Sequence, residues 1–314
     1  MIDHVVRQRD LPPQLTGGPF RLADAVALGV SRHVLAGQRF RQVIRGVYVL
    51  AERPNSVQSW LDAVRLVLPD AVGSHTTAAD LRGLPTPKLD ELVHVTVPPP
   101  REYPRISGVR VHVAPIGTDL RQVHGRPVLS VERTLLDLAG AGVSLVDLVI
   151  FGDAAVRRGW TTHQHLVAFT DQATGRGVRT ARRAAGRVRD RVDSAMETRL
   201  RLLLVLAGLP TPAVNEPVND MSGWLATPDL SYPSVKIAIE YDGDHHRHDR
   251  RQWTSDKQRR RLLRDLGWAL LECVADDVLR RPEQTLAWTH RKLLAAGYPG
   301  VPRTRSDRWR PHWT

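Results

Sequence analysis

The hydrophobic and polar positions at the start of the chain predict two short helices followed by a hairpin. An apolar stripe of helical period covers residues 22–28 and ends at Gly29. Ser31 is a favourable N-cap for a second helix over residues 32–37. Residues 39–50 then alternate between polar and apolar side chains, which indicates two strands joined by a turn. This order of elements is typical of a winged helix-turn-helix domain.

Several polar side chains of this segment are candidate DNA contacts. On the winged-helix prediction, some face the major groove and others meet phosphate groups. The groove-facing side chains are Arg32, His33, Gln38 and Arg39. The phosphate-facing side chains are Arg41 and Arg45. An alternative that the residues leave open is a small helical cap with arginines on its solvated face.

The pattern changes after residue 53 and predicts a middle domain of mixed α/β type. A helix is predicted over residues 60–68, and strands over residues 92–97 and 109–113. Ser74 and His75 lie side by side there, but adjacency in sequence is not a catalytic geometry. We therefore interpret His75 as a structural histidine.

Two basic segments flank the last predicted domain. Residues 176–191 contain seven arginines among small residues, which indicates a helix-compatible linker or basic arm. The segment 299–314 mixes arginine with tryptophan, and we expect a disordered basic tail.

The C-terminal pattern predicts helix, hairpin, helix, strand and helix in that order. The predicted helices cover residues 194–207, 252–266 and 282–296. The predicted strands cover residues 224–232, 236–242 and 268–274. This order matches the core of the PD-(D/E)xK restriction-endonuclease-like fold.

Three carboxylates interrupt the two strands of that hairpin. Because strand side chains alternate, Glu240 and Asp242 point to the same face. With a two-residue loop at residues 233–234, Asp229 lies opposite Ala238 and is the diagonal neighbour of Glu240. Carboxylate oxygens are ligands that Mg²⁺ and Mn²⁺ prefer. The pattern therefore predicts a metal site formed by Asp229, Glu240 and Asp242.

Other side chains near these strands are candidates for the same site. His245 and His246 follow the strand at a glycine turn, where a group that handles a proton is expected. Glu197 lies on the helix before the hairpin and has two interpretations. It either helps to hold the metal or forms a capping box with Ser194.

Composition narrows the class of protein. The chain has 314 residues, with 45 Lys+Arg against 33 Asp+Glu, a net charge of +12 and a pI near 10.8. This length suggests two or three domains, and this charge favours nucleic acid, most simply double-stranded DNA, as partner. The single cysteine, Cys273, excludes a disulfide framework and a multi-cysteine zinc site. With no long apolar run and no signal-peptide pattern, we expect a cytoplasmic protein and no membrane partner.

The segment 20–50 resembles the N-terminal domain of AbiEi-type antitoxin regulators. The likeness rests on Gly-Val-Ser-Arg at residues 29–32 and Arg-Gly-Val-Tyr at residues 45–48. It continues through residues 74–85 and 132–138. The resemblance implies a winged-helix DNA reader, an α/β middle domain and, for an antitoxin, a toxin as protein partner.

The segment 194–297 resembles the Vsr-like endonuclease domains, which are related to very-short-patch-repair endonucleases. The motifs that carry the likeness are Glu197, residues 228–230, residues 239–243 with His245 and His246, residues 256–259 and residues 267–268. The resemblance implies Mg²⁺-dependent cleavage of DNA phosphodiester bonds, with Asp229 and Glu240 as metal ligands.

One departure from the family pattern affects the expected chemistry. Asp242 stands where the (D/E)xK lysine is expected. Either His245 or His246 handles the proton, Lys257 substitutes from the following helix, or the domain does not cleave.

Together these patterns predict a multi-domain α/β protein that binds and cleaves DNA. The alternative is a non-catalytic DNA-binding regulator or antitoxin with a degenerate nuclease-like domain. The expected segments are a winged helix at 1–52, an α/β middle domain at 53–175, a linker at 176–192, a restriction-endonuclease-like domain at 193–298 and a basic tail at 299–314.

Overall fold

The computed structural model describes residues 11–99, 102–220, 223–243 and 261–313. The chain divides into two units, Met1–Val143 and Ser144–Thr314, and each combines helices with sheets. The expected multi-domain α/β class is therefore confirmed at that level. Among the helices of the described ranges, none combines the length and the apolar character needed to cross a membrane.

The first unit contains two sheets and the helices that accompany them. Its strands are β1 (Phe20–Arg21), β2 (Phe40–Ile44), β3 (Val47–Leu50), β4 (Val72–Gly73), β5 (Val93–Val97), β6 (Val109–Val113), β7 (Leu120–Val123) and β8 (Arg126–Leu129). Its helices are α1 (Leu22–Ala27), α2 (Arg32–Leu35), α3 (Val57–Val67), α4 (His75–Leu81) and α5 (Val131–Gly140).

Local signals set the N-terminal elements. The Ser31 hydroxyl accepts a hydrogen bond from the Val34 amide at 3.3 Å, so the predicted cap of α2 is confirmed. Strands β1, β3 and β2 form an antiparallel sheet in that order, with α1 and α2 between β1 and β2 in sequence. The predicted apolar stripe is only partly correct, because Val26 is 49% and Leu28 40% exposed.

The second sheet of this unit has the strand order β6-β5-β4-β8-β7. Strands β5 and β6 are parallel, as are β4 and β8, whereas the remaining pairs are antiparallel. Helix α3 presents Leu61 and Val64 to a core that also contains Val95, Val97 and Val128. The predicted α/β character of the middle segment is therefore confirmed in its strands and in α3.

The second unit begins with helices and continues with a mixed sheet. Its helices are α6 (Leu145–Arg157), α7 (His163–Gln172), α8 (Val178–Ala185), α9 (Ala195–Leu206), α10 (described over 261–265), α11 (Ala275–Leu279) and α12 (Pro282–Ala295). Its strands are β9 (Ala213–Val214), β10 (Val218–Asp220), β11 (Gly223–Ala226), β12 (Leu230–Tyr232), β13 (Ile237–Tyr241) and β14 (Ala269–Cys273).

The arginine-rich segment 176–192, expected to be a linker, packs into this unit. Helix α8 buries Ala181, Ala184 and Ala185 completely, while its arginines lie on the other face. Val188 then packs so closely on α6 that a Cβ at Gly152 would lie 2.4 Å from its Cγ2 atom. Glycine at this position is required by the close approach of the two segments.

A buried ion pair joins α6 to α9. Asp153 Oδ2 and Arg201 Nη2 are 2.7 Å apart, and the two side chains are only 2% and 1% exposed. The same carboxylate accepts hydrogen bonds from the Thr198 hydroxyl at 2.7 Å and the Arg189 amide at 2.8 Å. Arg201 also donates to the Arg187 carbonyl at 2.8 Å. The pair therefore fixes the segment after α8 against both helices.

Four strands of the second unit form one mixed sheet with the order β14-β13-β12-β9. Strands β9, β12 and β13 are antiparallel neighbours, and β14 runs parallel to β13. The single strand predicted over 224–232 is wrong, because β11 pairs with β10 and β12 belongs to the four-stranded sheet. The interruption falls at residues 227–229, immediately before β12.

The C-terminal segment is ordered against the second unit, contrary to the expected disorder. Trp309 is buried, and the Trp313 indole donates to the Val278 carbonyl at 2.8 Å. The Ser306 amide donates to the Ala207 carbonyl at 2.8 Å. The tryptophans explain the difference, since they supply large apolar surface for burial.

We predict that Asp153→Ala lowers the free energy of unfolding of the second unit by about 3–5 kcal/mol, because it leaves the Arg201 charge buried without its partner. Urea denaturation followed by circular dichroism measures this loss. The control is Asp147→Ala, which removes the partly exposed Asp147–Arg199 pair and is expected to cost about 1 kcal/mol or less. Equal losses in the two variants would contradict the prediction.

Candidate functional site

The hairpin between β12 and β13 sets the register of the acidic residues. A 3₁₀ turn over Pro233–Val235 is followed by Lys236 with a φ of 51°, so the connection is longer than the predicted two residues. Ser231, rather than Asp229, lies opposite Ala238. Continued by one pair beyond the paired residues, the register puts Asp229 directly opposite Glu240. The predicted register is wrong by two residues, and an even shift keeps both side chains on one face.

Hydrogen bonds hold Asp229 at the end of its strand. Its Oδ2 atom accepts from the Tyr241 amide at 2.7 Å, one residue after Glu240. Its backbone carbonyl accepts from the Asn215 amide at 3.0 Å. The Asp229 carboxylate is therefore oriented by the backbone of β13.

A third carboxylate, Glu272, lies at the same level of the sheet. In the parallel pairing of β13 with β14, Glu240 lies opposite Glu272, so the two side chains share a face. Glu240 is 4% exposed, and Glu272 forms an ion pair with Arg264. Sequence reasoning missed Glu272, although a carboxylate inside a predicted strand was the same signal that identified Glu240.

Asp242 and Cys273 lie beside this face. The backbone amide of Asp242 donates to the Cys273 carbonyl at 2.7 Å, and the Asp242 side chain is half-buried. Burial raises the pKa of the Cys273 thiol to about 12, and the negative charges of Asp277 and Asp229 act in the same direction. The thiol is therefore protonated at neutral pH and is a poor nucleophile.

The Ser194 cap that belongs to one of the two interpretations of Glu197 is present, but the Glu197 carboxylate binds the Asp193 amide in place of the Ser194 amide of a capping box. The Glu197 amide donates to the Ser194 hydroxyl at 3.1 Å, and its carboxylate accepts from the Asp193 amide at 2.9 Å. The same carboxylate oxygen accepts from the Asn215 side chain at 3.0 Å. Burial raises the pKa of Glu197, while these hydrogen bonds act to lower it. Through Asn215, Glu197 is connected to the backbone of Asp229.

The structure brings together some of the predicted site residues. Asp229 accepts a hydrogen bond from the backbone of β13 one residue after Glu240, Asp242 follows on the same strand, and Glu197 is linked to Asp229 by Asn215. His245 and His246 lie outside the described residues, as do residues 256–259. Their proposed roles in moving a proton stay predictions.

The acidic residues do not close into a compact metal shell. In the described parts of the chain, one group of three histidine, cysteine or carboxylate side chains has ligand atoms within 4.8 Å of one another. That group is His75, His94 and His112 in the first unit. Among the described residues, Asp229, Glu240 and Asp242 do not form a second group of this kind, and their role as metal ligands stays a prediction.

The predicted DNA contacts of the first unit differ in exposure. Arg41 is half-buried, and its Nη1 atom donates to Asn55 Oδ1 at 3.0 Å. Arg39 is also half-buried. The exposed members of the set are Arg32, His33, Gln38 and Arg45.

Comparison with known proteins shows the family of this mixed α/β chain. Uncharacterized protein MT2308 of Mycobacterium tuberculosis (strain CDC 1551 / Oshkosh) is 30% identical over 231 residues. Uncharacterized protein Rv2248 of Mycobacterium tuberculosis (strain ATCC 25618 / H37Rv) is similar to the same extent. The match covers 73% of this chain and 84% of each relative. The chain belongs to the family of these two mycobacterial proteins.

The other comparisons are less specific. No family model matches the chain. A crystal structure of the RV2827C protein from Mycobacterium tuberculosis aligns with a TM-score of 0.40 and 16% identity, over 68% of this chain and 85% of that one.

We predict that Glu197→Ala lowers the free energy of unfolding of the second unit by about 1–3 kcal/mol, because the Asp193 amide and the half-buried Asn215 side chain lose a carboxylate acceptor. Urea denaturation measures the loss. The matched control is Glu216→Ala, at an exposed position of the same unit, with an expected change within about 0.5 kcal/mol. If Glu197→Ala is as stable as the control, the Glu197 carboxylate is not structural.

Proposed function

We propose that this protein binds double-stranded DNA and hydrolyses its phosphodiester bonds at a Mg²⁺-dependent endonuclease site in the second unit. The observation that carries the proposal is the register that puts Asp229 opposite Glu240, with Glu272 beside Glu240 on the next strand. Two adjacent strands and the residue before a third thus present carboxylates near one edge of the sheet. The strand order β14-β13-β12-β9, with α9 before it, supports a restriction-endonuclease-like core.

The side chains present fit a hard divalent cation. Mg²⁺ commonly binds through one or two carboxylates and keeps several waters, so Asp229 and Glu240 suffice as protein ligands without a closed shell. Mn²⁺ accepts the same oxygen ligands. When bound, the ion activates water and neutralises charge on the phosphate. The hydrogen bond from the Tyr241 amide orients the Asp229 carboxylate. His245 or His246 would move the proton.

DNA binding is assigned to the N-terminal sheet and helices. The strand order β1-β3-β2, with two helices between β1 and β2, supports a winged-helix interpretation. Arg32 and Arg45 are exposed there, as DNA contacts must be. The net charge of +12 strengthens the attraction of the whole chain for a polyanion.

A second candidate function is a non-catalytic DNA-binding regulator of the antitoxin type, with a toxin as protein partner. Two observations favour it. The Asp229 carboxylate already accepts a hydrogen bond from the Tyr241 amide, and Asp242 occupies the position of the expected lysine. On this proposal, the acidic face, which is formed by Asp229, Glu240 and Glu272, stabilises the sheet or binds a partner and does not cut DNA.

We predict that the purified full chain cleaves plasmid DNA with Mg²⁺ or Mn²⁺, and that Asp229→Asn and Glu240→Gln each lower the rate about 100-fold or more, because each removes a carboxylate that would hold the metal ion. Gel analysis of the plasmid forms measures the rate. Asp276→Asn, which neutralises a half-exposed carboxylate of the same unit, is the control and should leave cleavage unchanged. Equal inactivity of wild type and both variants, with either metal and several DNA forms, would support the regulator instead.

We predict that Arg32→Ala and Arg45→Ala weaken DNA binding. For each phosphate interaction that a variant removes, the slope of log K against log salt becomes less steep by about 1. Fluorescence anisotropy over a range of salt concentrations measures both quantities. Arg121→Ala removes the same charge from an exposed position on β7 and serves as the control. If all three variants bind DNA equally weakly, net charge rather than the N-terminal face determines binding.

A further inference from the structure

Three histidines that are far apart in sequence meet on one side of the five-stranded sheet. His75 opens α4 directly after β4, His94 lies on β5, and His112 lies on β6. In the parallel register of β5 and β6, His112 pairs with Thr96, so His94 and His112 are diagonal neighbours on one face. One ligand nitrogen from each imidazole lies within 4.8 Å of the other two.

The backbone around His75 holds its ring in the cluster. His75 has a φ of 49°, a left-handed conformation that costs a non-glycine residue about 1–3 kcal/mol. Ser74 occupies the N-cap of α4, but its hydroxyl lies 3.0 Å from His75 Nδ1 instead of capping the helix. The ring also stacks on His112 with a centroid separation of 3.8 Å. Strained backbone of this kind occurs mainly at functional positions.

Asp90 sets the orientation of His94. Its Oδ1 atom is 2.8 Å from His94 Nε2, and its Oδ2 atom is 3.2 Å from Arg110 Nε. Burial acts to raise the pKa of Asp90, but hydrogen bonds from His94 and the Leu92 amide and the charge of Arg110 lower it overall. Because the ionised carboxylate accepts the Nε2 proton, the Nδ1 lone pair of His94 points to His112 Nε2, 3.0 Å away.

The other two imidazoles are neutral at physiological pH. Burial, followed by the neighbouring histidines, lowers the pKa of His75 to about 3. Burial, followed by the neighbouring His94 and Arg110, lowers the pKa of His112 to about 4. Neutral imidazole is the form that binds a metal ion.

We propose that His75, His94 and His112 form a binding site for a divalent transition-metal ion of the zinc class. Imidazole nitrogens select Zn²⁺ and its first-row neighbours over Mg²⁺, which requires oxygen ligands. Asp90 is the outer carboxylate that commonly orients a metal-binding histidine. Bonds of about 2.0–2.1 Å in tetrahedral geometry need nitrogens roughly 3.3 Å apart, so the stacked His75 and His112 rings must turn when the ion binds. Three protein ligands leave the fourth position for water.

This site is independent of the acidic face proposed for nuclease chemistry. It lies in the first unit, uses nitrogen in place of oxygen, and selects a softer cation. Loss of one site therefore does not predict loss of the other.

The test is titration of the full chain, freed of metal by chelator, with Zn²⁺ by calorimetry and with Co²⁺ by visible absorption. Wild type is expected to bind one more equivalent of Zn²⁺ than His112→Asn does. At this site, the affinity of His112→Asn for Zn²⁺ should fall at least about 100-fold. His112 is only half-buried, so this variant should fold, and circular dichroism without metal checks it. Asp90→Asn keeps all three ligands and is expected to lose about 10–100-fold in affinity.

The matched control is His124→Asn, which changes an exposed histidine of the same unit outside the cluster. It should bind Zn²⁺ and show the tetrahedral Co²⁺ spectrum as wild type does. Zn²⁺ should also raise the midpoint of thermal unfolding of wild type and His124→Asn, but not of His112→Asn. Wild type and a folded His112→Asn with equal Zn²⁺ stoichiometry, affinity and thermal shift would overturn the proposal. If His112→Asn does not fold, unchanged affinity in Asp90→Asn would overturn it.

Discussion

The buried carboxylate of Asp153 is the constraint on which the second unit depends. Burial raises its pKa, and the charge of Arg201 with three hydrogen bonds acts against that rise. Such a pair adds little net stability, because desolvation offsets the attraction, but it excludes arrangements in which either charge lacks its partner. The donors come from α9 and from the segment after α8, so a single carboxylate on α6 determines where both lie.

The position of the acidic face follows from the position of α9. This helix begins at the Ser194 cap, and the Glu197 carboxylate accepts a hydrogen bond from the Asn215 side chain. Asn215 in turn donates its amide to the Asp229 carbonyl. A chain of directional contacts thus runs from the buried ion pair to the end of β12. Displacing α9 would therefore move Asp229 relative to Glu240, because hydrogen bonds tolerate little change in distance or angle.

The sequence predicted correctly those elements whose signals come from residues close together in the chain. Ser31 and Ser194 act as caps, and alternation identified β13, because these signals operate within one turn or one strand. The predicted hairpin register was wrong because Lys236 adopts a left-handed conformation, which lengthens the connection. No turn motif in the sequence indicates that conformation. The histidine cluster could not be predicted from the sequence, for a different reason. His75, His94 and His112 meet only through the pairing of strands far apart in sequence.

The two proposed metal sites differ in the charge that their ligands bring. At the site proposed for Mg²⁺, the carboxylates of Asp229 and Glu240 would supply negative charge and oxygen ligands for a hard dication. In the histidine cluster, by contrast, neutral imidazoles bring no charge to offset a dication in a buried place. Asp90 supplies one negative charge through His94, and Arg110 already balances part of it. The half-buried edge at His112 gives the ion access to water, so the remaining charge is solvated and does not have to be paired inside the protein.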